Sequence, residues 1–394
     1  MNKKALTIEN NDKTYIANTY KRFDICIEKG EGAKLYDYDG KEYIDFSSGI
    51  GTLSFGVKDN EWINAVTNQI NLIQHTSNLY YNEPQTKLAK LLCEKTGMKK
   101  VFFSNSGAES NECAIKTARK YSYDKYGEGR YEIICLENSF HGRTIATLSA
   151  TGQDVFHQYF MPFVDGFKFA KANDNKSVDD LISNKTCAIM LETIQGEAGV
   201  NDLNEDFIKH IDELCKKHDL VFIVDEVQTG NGRTGYFYSY MQYGVTPDVV
   251  TTAKGIAGGL PMGAILFSDK VEHTLGYGEH GSTFGGNPVC AAAAYSIISR
   301  IDDNLLAHVK EMGAIIRERL TGVKHVKKIT GKGLIVGIQF DDAVTNLDIC
   351  KKAMDNGVIC LTAKKNLRLL PPLSITKEEL NLGLDRLIKT IEEA

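Results

Sequence analysis

Short runs of apolar residues alternate with longer segments of helical periodicity along the middle of the chain. Between about residues 59 and 288 these runs are VFFSNSG, EIICLE, CAIMLET, LVFIVDEVQ and DVVTTAKG. A continuous apolar run of this length predicts a strand that is covered on both faces, as in a parallel sheet with helices on either side. We therefore predict an α/β fold built on a large, doubly wound and mostly parallel sheet.

The two ends of the chain have different patterns. In AKLYDYDGKEYIDFSSG, Asp39-Gly40 is a two-residue turn signal between runs rich in Tyr, Ile and Phe, which predicts a β-hairpin. After Pro288, a helix, the strand GLIVGIQF and a final helix follow one another. The helical stripes that predict these two helices are Leu305, Val309, Met312 and Ile316, and Leu380, Leu384, Leu387 and Ile391. We predict an N-terminal segment over 1–58 that packs with the small domain, a large domain over 59–288 and a smaller α+β domain over 289–394.

Composition and charge exclude several classes of protein. The 394 residues are 42% hydrophobic and 25% charged, which is ordinary for a globular enzyme and excludes collagen-like, disordered and coiled-coil chains. A net charge of −5 without a long run of either sign gives no indication of a surface for nucleic acid or for an anionic membrane. No window approaches the roughly 18 apolar residues of a membrane span, and the N-terminus does not resemble a signal peptide. Nine scattered cysteines without a C-x-x-C pair are typical of buried thiols, so we expect a cytoplasmic protein without a metal site.

Ligands of open α/β sheets bind beyond the carboxyl ends of the strands, where this chain carries unusual residues. After VFF, Ser106, Gly107 and Ala108 begin a helix whose free N–H groups, hydroxyl and dipole suit a phosphate, although a simple helix cap explains them as well. Asp225 and Glu226 end a strongly apolar strand, where a carboxylate needs a cation or a donor. A structural salt bridge and a functional acid explain this pair equally well.

Two further strand ends carry a lysine and an Arg-His-Phe cluster. Lys254 follows VVTTA, and burial there would make it a nucleophilic amine able to form Schiff bases, whereas a lone lysine is usually a solvated surface residue. In ENSFHGRT, Arg143 offers a planar fork for a carboxylate and Phe140 offers a stacking face. For His141 we favour a hydrogen-bonded structural role over catalysis and assign it no function.

A phosphate cradle, an aromatic plate, a strand-end acid and a strand-end lysine, in that order, are the parts that hold pyridoxal 5′-phosphate. Thr283 in HGSTFGGNP and Arg368 in NLRLLPPL would each be interpreted as a loop anchor if they stood alone. Together with the other motifs they become candidate site residues. The ordered motifs SNSGAESNE, ENSFHGRT, LETIQGEAGV, VDEVQTGNGRTG, TTAKGIAGGLPMGA, STFGGNP and LRLLPPL resemble those of the class III (subgroup II) pyridoxal-phosphate-dependent aminotransferases of fold type I. The resemblance runs from about Tyr20 to the C-terminus and implies a transferase with that fold and that cofactor.

The resemblance implies a role for each matching residue. Lys254 is expected to bind the cofactor covalently and to transfer protons, and Asp225 to pair with the pyridine nitrogen. The other cofactor contacts that it implies are Ser106, Gly107 and Ala108 for the phosphate, Phe140 and Val227 for the two ring faces, Gln228 for the phenolic oxygen, and Thr283 for the phosphate of the neighbouring subunit. The role of Thr283 implies a homodimer in which each active site is built from two chains.

Substrate recognition follows from the same resemblance. Arg368 is the expected α-carboxylate clamp and Arg143 the second carboxylate site, while Glu197 pairs with an arginine that holds no substrate. The stretch HTSNLYYNEPQTKLAKLL, residues 75–92, is typical of the branch that acts on N-acetyl-L-ornithine. Ile50 stands where ornithine-specific members usually have a tyrosine that meets the free α-amino group. The implied ping-pong reaction moves the terminal amino group of N-acetyl-L-ornithine to 2-oxoglutarate, giving N-acetyl-glutamate semialdehyde and L-glutamate in arginine biosynthesis.

Three other hypotheses stay open at this point. Another ω-aminotransferase, acting on 4-aminobutyrate, ornithine, succinylornithine or succinyldiaminopimelate, would share the cofactor apparatus. A non-catalytic binding protein that kept the fold is disfavoured by the intact Lys254 and Asp225. A dinucleotide-dependent dehydrogenase is disfavoured because the first strand–turn–helix segment lacks G-x-G-x-x-G.

Overall fold

The computed structural model describes residues 2–394 as an alternation of helices and strands. The helical segments are α1 (Lys3–Tyr15), α2 (Ser48–Gly51), α3 (Asn60–Ile70), α4 (Glu83–Thr96), α5 (Gly107–Tyr126), α6 (Ile145–Ser149), α7 (Asn175–Asp179), α8 (Glu205–His218), α9 (Pro288–Ile298), α10 (Asp303–Leu320), α11 (Asn346–Asp355) and α12 (Lys377–Glu392). The strands are β1 (Ile27–Glu31), β2 (Lys34–Asp37), β3 (Glu42–Asp45), β4 (Lys100–Ser104), β5 (Glu132–Leu136), β6 (Phe167–Ala170), β7 (Thr186–Leu191), β8 (Ile194–Gln195), β9 (Asn201–Asp202), β10 (Val221–Asp225), β11 (Val249–Thr252), β12 (Gly263–Phe267), β13 (Val326–Lys332), β14 (Ile335–Phe340), β15 (Val358–Ile359), β16 (Leu361–Ala363) and β17 (Asn366–Leu369).

The largest sheet contains seven strands in the order β4-β12-β11-β10-β7-β5-β6. Its neighbouring strands are parallel except where β12 pairs with β4 and β11, so β12 alone in this sheet runs against the others. The five apolar runs singled out in the sequence form β4, β5, β7, β10 and β11. Every residue of β7, β10 and β11 is buried, as expected for central strands of a covered parallel sheet. The prediction of an α/β fold with a mostly parallel sheet is confirmed.

Alternate residues of the central strands pack into two separate cores, one on each face of the sheet. Ile223 of β10 lies in the core that includes Ala114 of α5. Its neighbours Phe222 and Val224 lie in the core that includes Phe207 of α8. Because side chains alternate across a strand, helices cover both faces and the sheet is doubly wound.

The predicted hairpin is present, but its turn is longer than two residues. β2 and β3 pair antiparallel, and four residues, 38–41, connect them. The carboxylate of Asp37 accepts hydrogen bonds from the backbone N–H groups of Asp39 and Lys41, at 2.9 Å each, which stabilises the wider turn. β3 also pairs in parallel with β15, so the N-terminal segment shares a sheet with the C-terminal part of the chain.

The C-terminal part contains the antiparallel sheet β13-β14-β17-β16 and the two predicted helical stripes. The predicted stripe of α12 is fully buried, as are Val309, Met312 and Ile316 of the α10 stripe. These residues share a core with Phe46, and a Cβ at Gly383 would lie 2.3 Å from the Phe46 ring, so α12 approaches β3 closely because residue 383 is glycine. The domain boundaries at 58/59 and 288/289 stay predictions.

The segment Ser48–Gly51 forms a single left-handed turn. The φ angles of its four residues are 39°, 62°, 65° and 74°. This conformation costs roughly 1–2 kcal/mol for each L-residue, and a β-branched residue such as Ile50 adopts it rarely. The carboxylate of Asp45 holds the turn by accepting hydrogen bonds from Ser47 N (2.7 Å), Ser47 Oγ (2.6 Å) and Ser48 N (3.0 Å). The hydroxyl of Ser48 donates to Leu370 O and fixes the turn to the chain that follows β17.

The nine cysteines are free thiols, and seven of them are buried. Their burial agrees with the prediction that they serve as small apolar core residues. Within residues 2–394, no helix combines the length and the hydrophobicity that crossing a membrane requires.

Candidate active site

A cavity of about 530 Å³ lies where β4, β5, β10 and β11 end. Its volume is in the range of small-molecule sites. Nine residues singled out in the sequence line it together: Ser106, Gly107, Ala108, Phe140, Arg143, Asp225, Val227, Gln228 and Lys254. Residues up to about 150 positions apart in the chain are thus brought to one edge of the sheet, as the strand-end rule predicts.

One wall of the cavity is the beginning of α5. The Ser106 hydroxyl caps the helix by accepting from Glu109 N at 3.2 Å. The Glu109 carboxylate accepts from Asn105 N at 2.6 Å, one residue before the cap, where a standard capping box would bond the N–H of the cap residue itself. A Cβ at Gly107 would lie 2.7 Å from Val227 Cγ1, so glycine lets the helix start pass directly over Val227. The first-turn N–H groups of a helix have no intrahelical partner and suit an anion.

Asp225 is only 3% exposed, and donors orient its carboxylate. Oδ2 accepts from Asn111 Nδ2 at 2.8 Å and lies 2.8 Å from His141 Nδ1, while Oδ1 accepts from Val227 N at 2.9 Å. Because an ionised carboxylate only accepts hydrogen bonds, this geometry places the proton of His141 on Nδ1. The hydroxyl of Thr251 donates to Asn111 Oδ1 at 2.7 Å and extends the network. The arrangement holds a negative charge in one orientation at the cavity wall.

Asn111 and His141 contact the predicted acid, but the sequence analysis gave neither of them a function. Asn111 interrupts the apolar face of α5 formed by Ala114, Ile115 and Ala118, and it is 1% exposed. A polar residue on a buried helical stripe needs a partner, so this interruption was a usable signal. His141 is fully buried, and its Nε2 atom has no hydrogen-bond partner among the described residues.

Lys254 and Glu192 add two buried titratable groups to the cavity wall. Burial lowers the pKa of the Lys254 amine, and the carboxylate of Glu197 opposes that shift. Glu192 follows β7 directly and accepts from Phe140 N at 2.9 Å, and burial raises the pKa of its carboxyl. The sequence analysis assigned nothing to Glu192, although it stands at the end of a buried strand just as Asp225 does.

Arg368 lies beside the cavity and is 3% exposed. Its Nη1 atom donates to Glu197 Oε1 at 2.6 Å and to Gln228 Oε1 at 2.9 Å, and Gln228 Nε2 donates to the same Glu197 oxygen at 3.2 Å. Burial raises the pKa of Glu197, but the charges of Arg368 and Lys254 outweigh it and hold that pKa below its usual range. The Arg368–Glu197 ion pair is therefore bridged by Gln228, which hydrogen-bonds to both partners.

Arg143 is held differently, by aromatic rings. Its guanidinium carbon lies 4.6 Å from the centre of the Phe156 ring and 5.7 Å from that of Phe140. The two rings meet edge to face with 5.8 Å between their centres. Cation–π contacts orient a guanidinium without neutralising it, so Arg143 keeps its charge for another anion. The sequence analysis did not single out Phe156.

Besides Arg368 and Glu197, which lie beside the cavity, two more predicted site residues do not line it. Ile50 is 45% exposed on the left-handed turn. Thr283 is exposed and lines a second surface hollow with His75, Asn78 and Ser282. A single chain therefore does not bring these two residues together with Lys254 and Asp225 in one cavity.

Comparisons with known proteins match nearly the whole chain. The family model described as Aminotransferase class-III matches residues 15–391. The chain is 49% identical over 383 residues to the acetylornithine aminotransferase of Haemophilus ducreyi, which covers 97% of this chain and 98% of that protein. The ornithine aminotransferase from Toxoplasma gondii, a structure with partial occupancy of PLP at its active site, matches with a TM-score of 0.93 and 31% identity over 98% of this chain and 94% of that one. The acetylornithine aminotransferase from Elizabethkingia anophelis matches with a TM-score of 0.88 and 31% identity over 99% of both chains.

The motifs, the strand-end cavity and the match over residues 15–391 agree with one another. The seven-stranded sheet with one antiparallel strand is shared with solved structures at more than 30% identity. The chain belongs to the class III aminotransferase family.

Proposed function

We propose that this aminotransferase moves the terminal amino group of N-acetyl-L-ornithine to 2-oxoglutarate. One observation carries the proposal: the site of Lys254 has two arginines that differ in how their charge is balanced. Arg368 forms an ion pair with Glu197, whereas Arg143 contacts aromatic rings and has no such pair among the described residues. Relatives that bear the name acetylornithine aminotransferase are 39–49% identical to the chain along nearly its full length, which supports the same substrate.

The cofactor is pyridoxal phosphate, and the cavity fits it. The first turn of α5 suits the phosphate, and the carboxylate of Asp225 suits a protonated ring nitrogen. Phe140 and Val227 stand at the cavity wall as the two side chains for the ring faces, and the amine of Lys254 is available for the covalent link. When bound, the cofactor withdraws electrons from the substrate carbon that carries the amino group, so that a proton on this carbon becomes acidic.

The chain's own residues then hold and move that proton. The Nζ atom of Lys254 is the base, and the lowered pKa of this amine enlarges its unprotonated fraction near neutral pH. Asp225, fixed by Asn111 and His141, keeps its negative charge directed at the ring nitrogen. Burial of these groups strengthens their electrostatic interactions relative to water.

The positions of the two arginines match the two substrates. In 2-oxoglutarate one carboxylate adjoins the reacting carbon. Arg368 is suited to this carboxylate, because its charge is close enough to Lys254 to lower the pKa of that amine. Arg143 is suited to the distant carboxylate. In acetylornithine the α-carboxylate is distant from the reacting amine. We therefore propose that it binds Arg143 and not Arg368, the expected α-carboxylate clamp, while Glu197 neutralises Arg368. One cavity thereby accepts a dicarboxylate and a monocarboxylate in turn.

We also propose a homodimer with active sites at the subunit interface. Large apolar side chains near Thr283 are strongly exposed: Leu79, which lines the same hollow, is 87% exposed, and Phe284, the next residue in the chain, is 60% exposed. Exposed large apolar residues that cluster in this way mark protein interfaces. A second copy of the chain is the proposed partner, and Thr283 then reaches the phosphate of its cofactor.

The remaining proposals concern location and pathway. Nine free thiols, seven of them buried, are typical of proteins from reducing compartments, so we propose a cytoplasmic enzyme of arginine biosynthesis. Its substrates are small molecules, with neither nucleic acid nor membrane as a partner.

The substrate proposal is tested by kcat/KM for acetylornithine, succinylornithine, ornithine and 4-aminobutyrate with 2-oxoglutarate. Acetylornithine is expected to have the highest value. In Ile50→Tyr the ratio of ornithine to acetylornithine should rise about tenfold, because a phenolic oxygen can accept from the free α-ammonium group. Ile50→Phe is the matched control, since it adds the ring without the hydroxyl. An equal rise in both variants would mean that ring size, and not the hydroxyl, changes the preference.

Asp225→Asn should retain the cofactor and lose on the order of 10²–10³-fold or more in kcat, because a neutral amide cannot stabilise a protonated ring nitrogen. Absorbance near 400–430 nm measures the bound cofactor, and single-turnover mixing with acetylornithine measures the first half-reaction. A single-turnover rate equal to that of the unmodified enzyme would contradict the role of Asp225.

The two arginines should respond differently to conservative substitution. Arg368→Lys should lower kcat/KM for 2-oxoglutarate by a factor that corresponds to about 2–4 kcal/mol of lost transition-state stabilisation, because lysine cannot reproduce the planar fork. Its kcat/KM for acetylornithine should change little. Arg143→Lys should lower kcat/KM for both substrates. In ping-pong kinetics each kcat/KM reports its own half-reaction, so the two effects are separable. The opposite pattern would exchange the two assignments.

The dimer proposal predicts a sedimentation mass of two chains at micromolar concentration. Thr283→Val should weaken pyridoxal phosphate binding about tenfold, because it removes one hydroxyl donor to a charged group while keeping the side-chain volume. Thr283→Ser keeps the hydroxyl and is the control that should bind normally. A monomer, or an unchanged dissociation constant in Thr283→Val, would contradict the shared active site.

A further inference from the structure

Arg233, in the GNGRTG segment after β10, is a buried cation. The residue is 3% exposed. Its Nη1 atom donates to the backbone oxygens of Leu334, at 3.2 Å, and Pro371. Burial lowers the pKa of its guanidinium to about 9, and no carboxylate of residues 2–394 forms a salt bridge with it. Arg233 thus differs from Arg368, whose charge is balanced by Glu197.

The two carbonyl groups that accept from Arg233 lie at the ends of neighbouring strands. Leu334 immediately precedes β14, and Pro371 follows β17 by two residues. β14 and β17 pair antiparallel, with Gly337 opposite Arg368. The guanidinium therefore joins the two strands just beyond the end of their ladder. The backbone strengthens the junction, because Leu334 N donates to Arg233 O at 2.9 Å.

The chain after β17 is also held from its other side. Leu370 N donates to Phe46 O at 2.6 Å, and the Ser48 hydroxyl donates to Leu370 O. These contacts come from the N-terminal segment. The side chain of Arg233 comes instead from the loop after β10, the strand that carries Asp225 and precedes Gln228. Its hydrogen bonds therefore connect the strand of Arg368 to the part of the chain that holds the cofactor cavity.

A buried guanidinium without an anion costs free energy that an apolar side chain of similar length would not cost. Stability alone is thus a weak reason for an arginine at this position. The Nη1 atom carries two N–H groups fixed in the guanidinium plane, and this planar fork donates to both carbonyl oxygens at once. A shorter lysine side chain has no such fork.

We propose that Arg233 is a positioning residue that fixes Arg368 relative to Gln228 and Glu197, and so sets the site for the carboxylate beside the reacting carbon. This inference rests on the proposed function of Arg368. A misplacement of about 1 Å at such a site is enough to cost up to about a hundredfold in rate. Binding of a distant carboxylate at Arg143 does not depend on this junction.

The test compares the two half-reactions of Arg233→Met in the full chain loaded with pyridoxal phosphate. Its kcat/KM for 2-oxoglutarate should fall about tenfold or more, mainly through KM, while that for acetylornithine stays within about threefold. Calorimetric titration with glutarate, a dicarboxylate that cannot react, should show a dissociation constant weaker by about tenfold. An equal loss for both substrates, or no change in either, would overturn the inference.

Arg317→Met is the matched control. Arg317 also donates to carbonyl oxygens, those of Gly313, Gly331 and Gly333, but all of these lie in the C-terminal part of the chain. Its loss removes a partly buried guanidinium but none of the hydrogen bonds that join Arg233 to Leu334 and Pro371. Both kcat/KM values should therefore stay within about threefold of the unmodified enzyme, and a selective loss for 2-oxoglutarate would count against a specific role of Arg233.

Two more variants complete the test. Arg233→Lys keeps a charge but loses the fork, so it should show the same selective loss, and normal use of 2-oxoglutarate by this variant would overturn the inference. If neither Arg233 variant folds, the residue serves stability and the inference is wrong. Arg368→Lys separates the two proposals: a loss of 2-oxoglutarate use there, but not in Arg233→Met, defeats only this inference, whereas no loss in Arg368→Lys defeats the proposed function as well.

Discussion

The buried charges around the cavity are held by groups of opposite charge or by hydrogen-bond donors, and this constraint determines the geometry there. Asp225 has Asn111 and His141 as donors, and Arg368 has Glu197. The donors of Asp225 come from elements around the large sheet, namely α5 and the loop after β5. The Arg368–Glu197 pair joins β17 of the C-terminal sheet to the loop after β8, so the charge of Arg368 is balanced only when β17 is assembled against that loop. Pairing of buried ions therefore links catalysis to the fold: a change in one element alters the electrostatics at another.

The two arginines represent two physical ways to prepare a cation for a substrate. Arg368 is paired with the carboxylate of Glu197. In the proposed function a substrate carboxylate displaces Glu197, so binding is an exchange of partners. Arg143 is kept against aromatic rings, which orient it without competing for its charge. The exchange allows the site near Lys254 to be neutral for one substrate and cationic for the other.

Much of the fold could be predicted from periodicity alone, because apolar runs bounded by helical segments have few other structural solutions. The strand-end rule also predicted the cavity lining, including Lys254 and Asp225. The partners of Asp225 were harder to find, since Asn111 and His141 are 114 and 84 residues away in sequence and only folding brings them near. The hairpin turn differed from its prediction because hydrogen bonds to the side chain of Asp37 stabilise a longer loop, which backbone turn signals do not encode.

The left-handed turn at Ser48–Gly51 determines how position 50 can vary. Its positive φ angles are imposed by hydrogen bonds to Asp45 and Leu370, and not by the side chain of residue 50. The direction of the Cα–Cβ bond at this position is therefore a property of the surrounding backbone. Different side chains there would start from the same point and along the same vector, and would differ only in size and polarity. A backbone held in this way fixes the direction of any side chain at position 50, while the conformational cost is lowest for glycine and asparagine and highest for β-branched residues such as isoleucine.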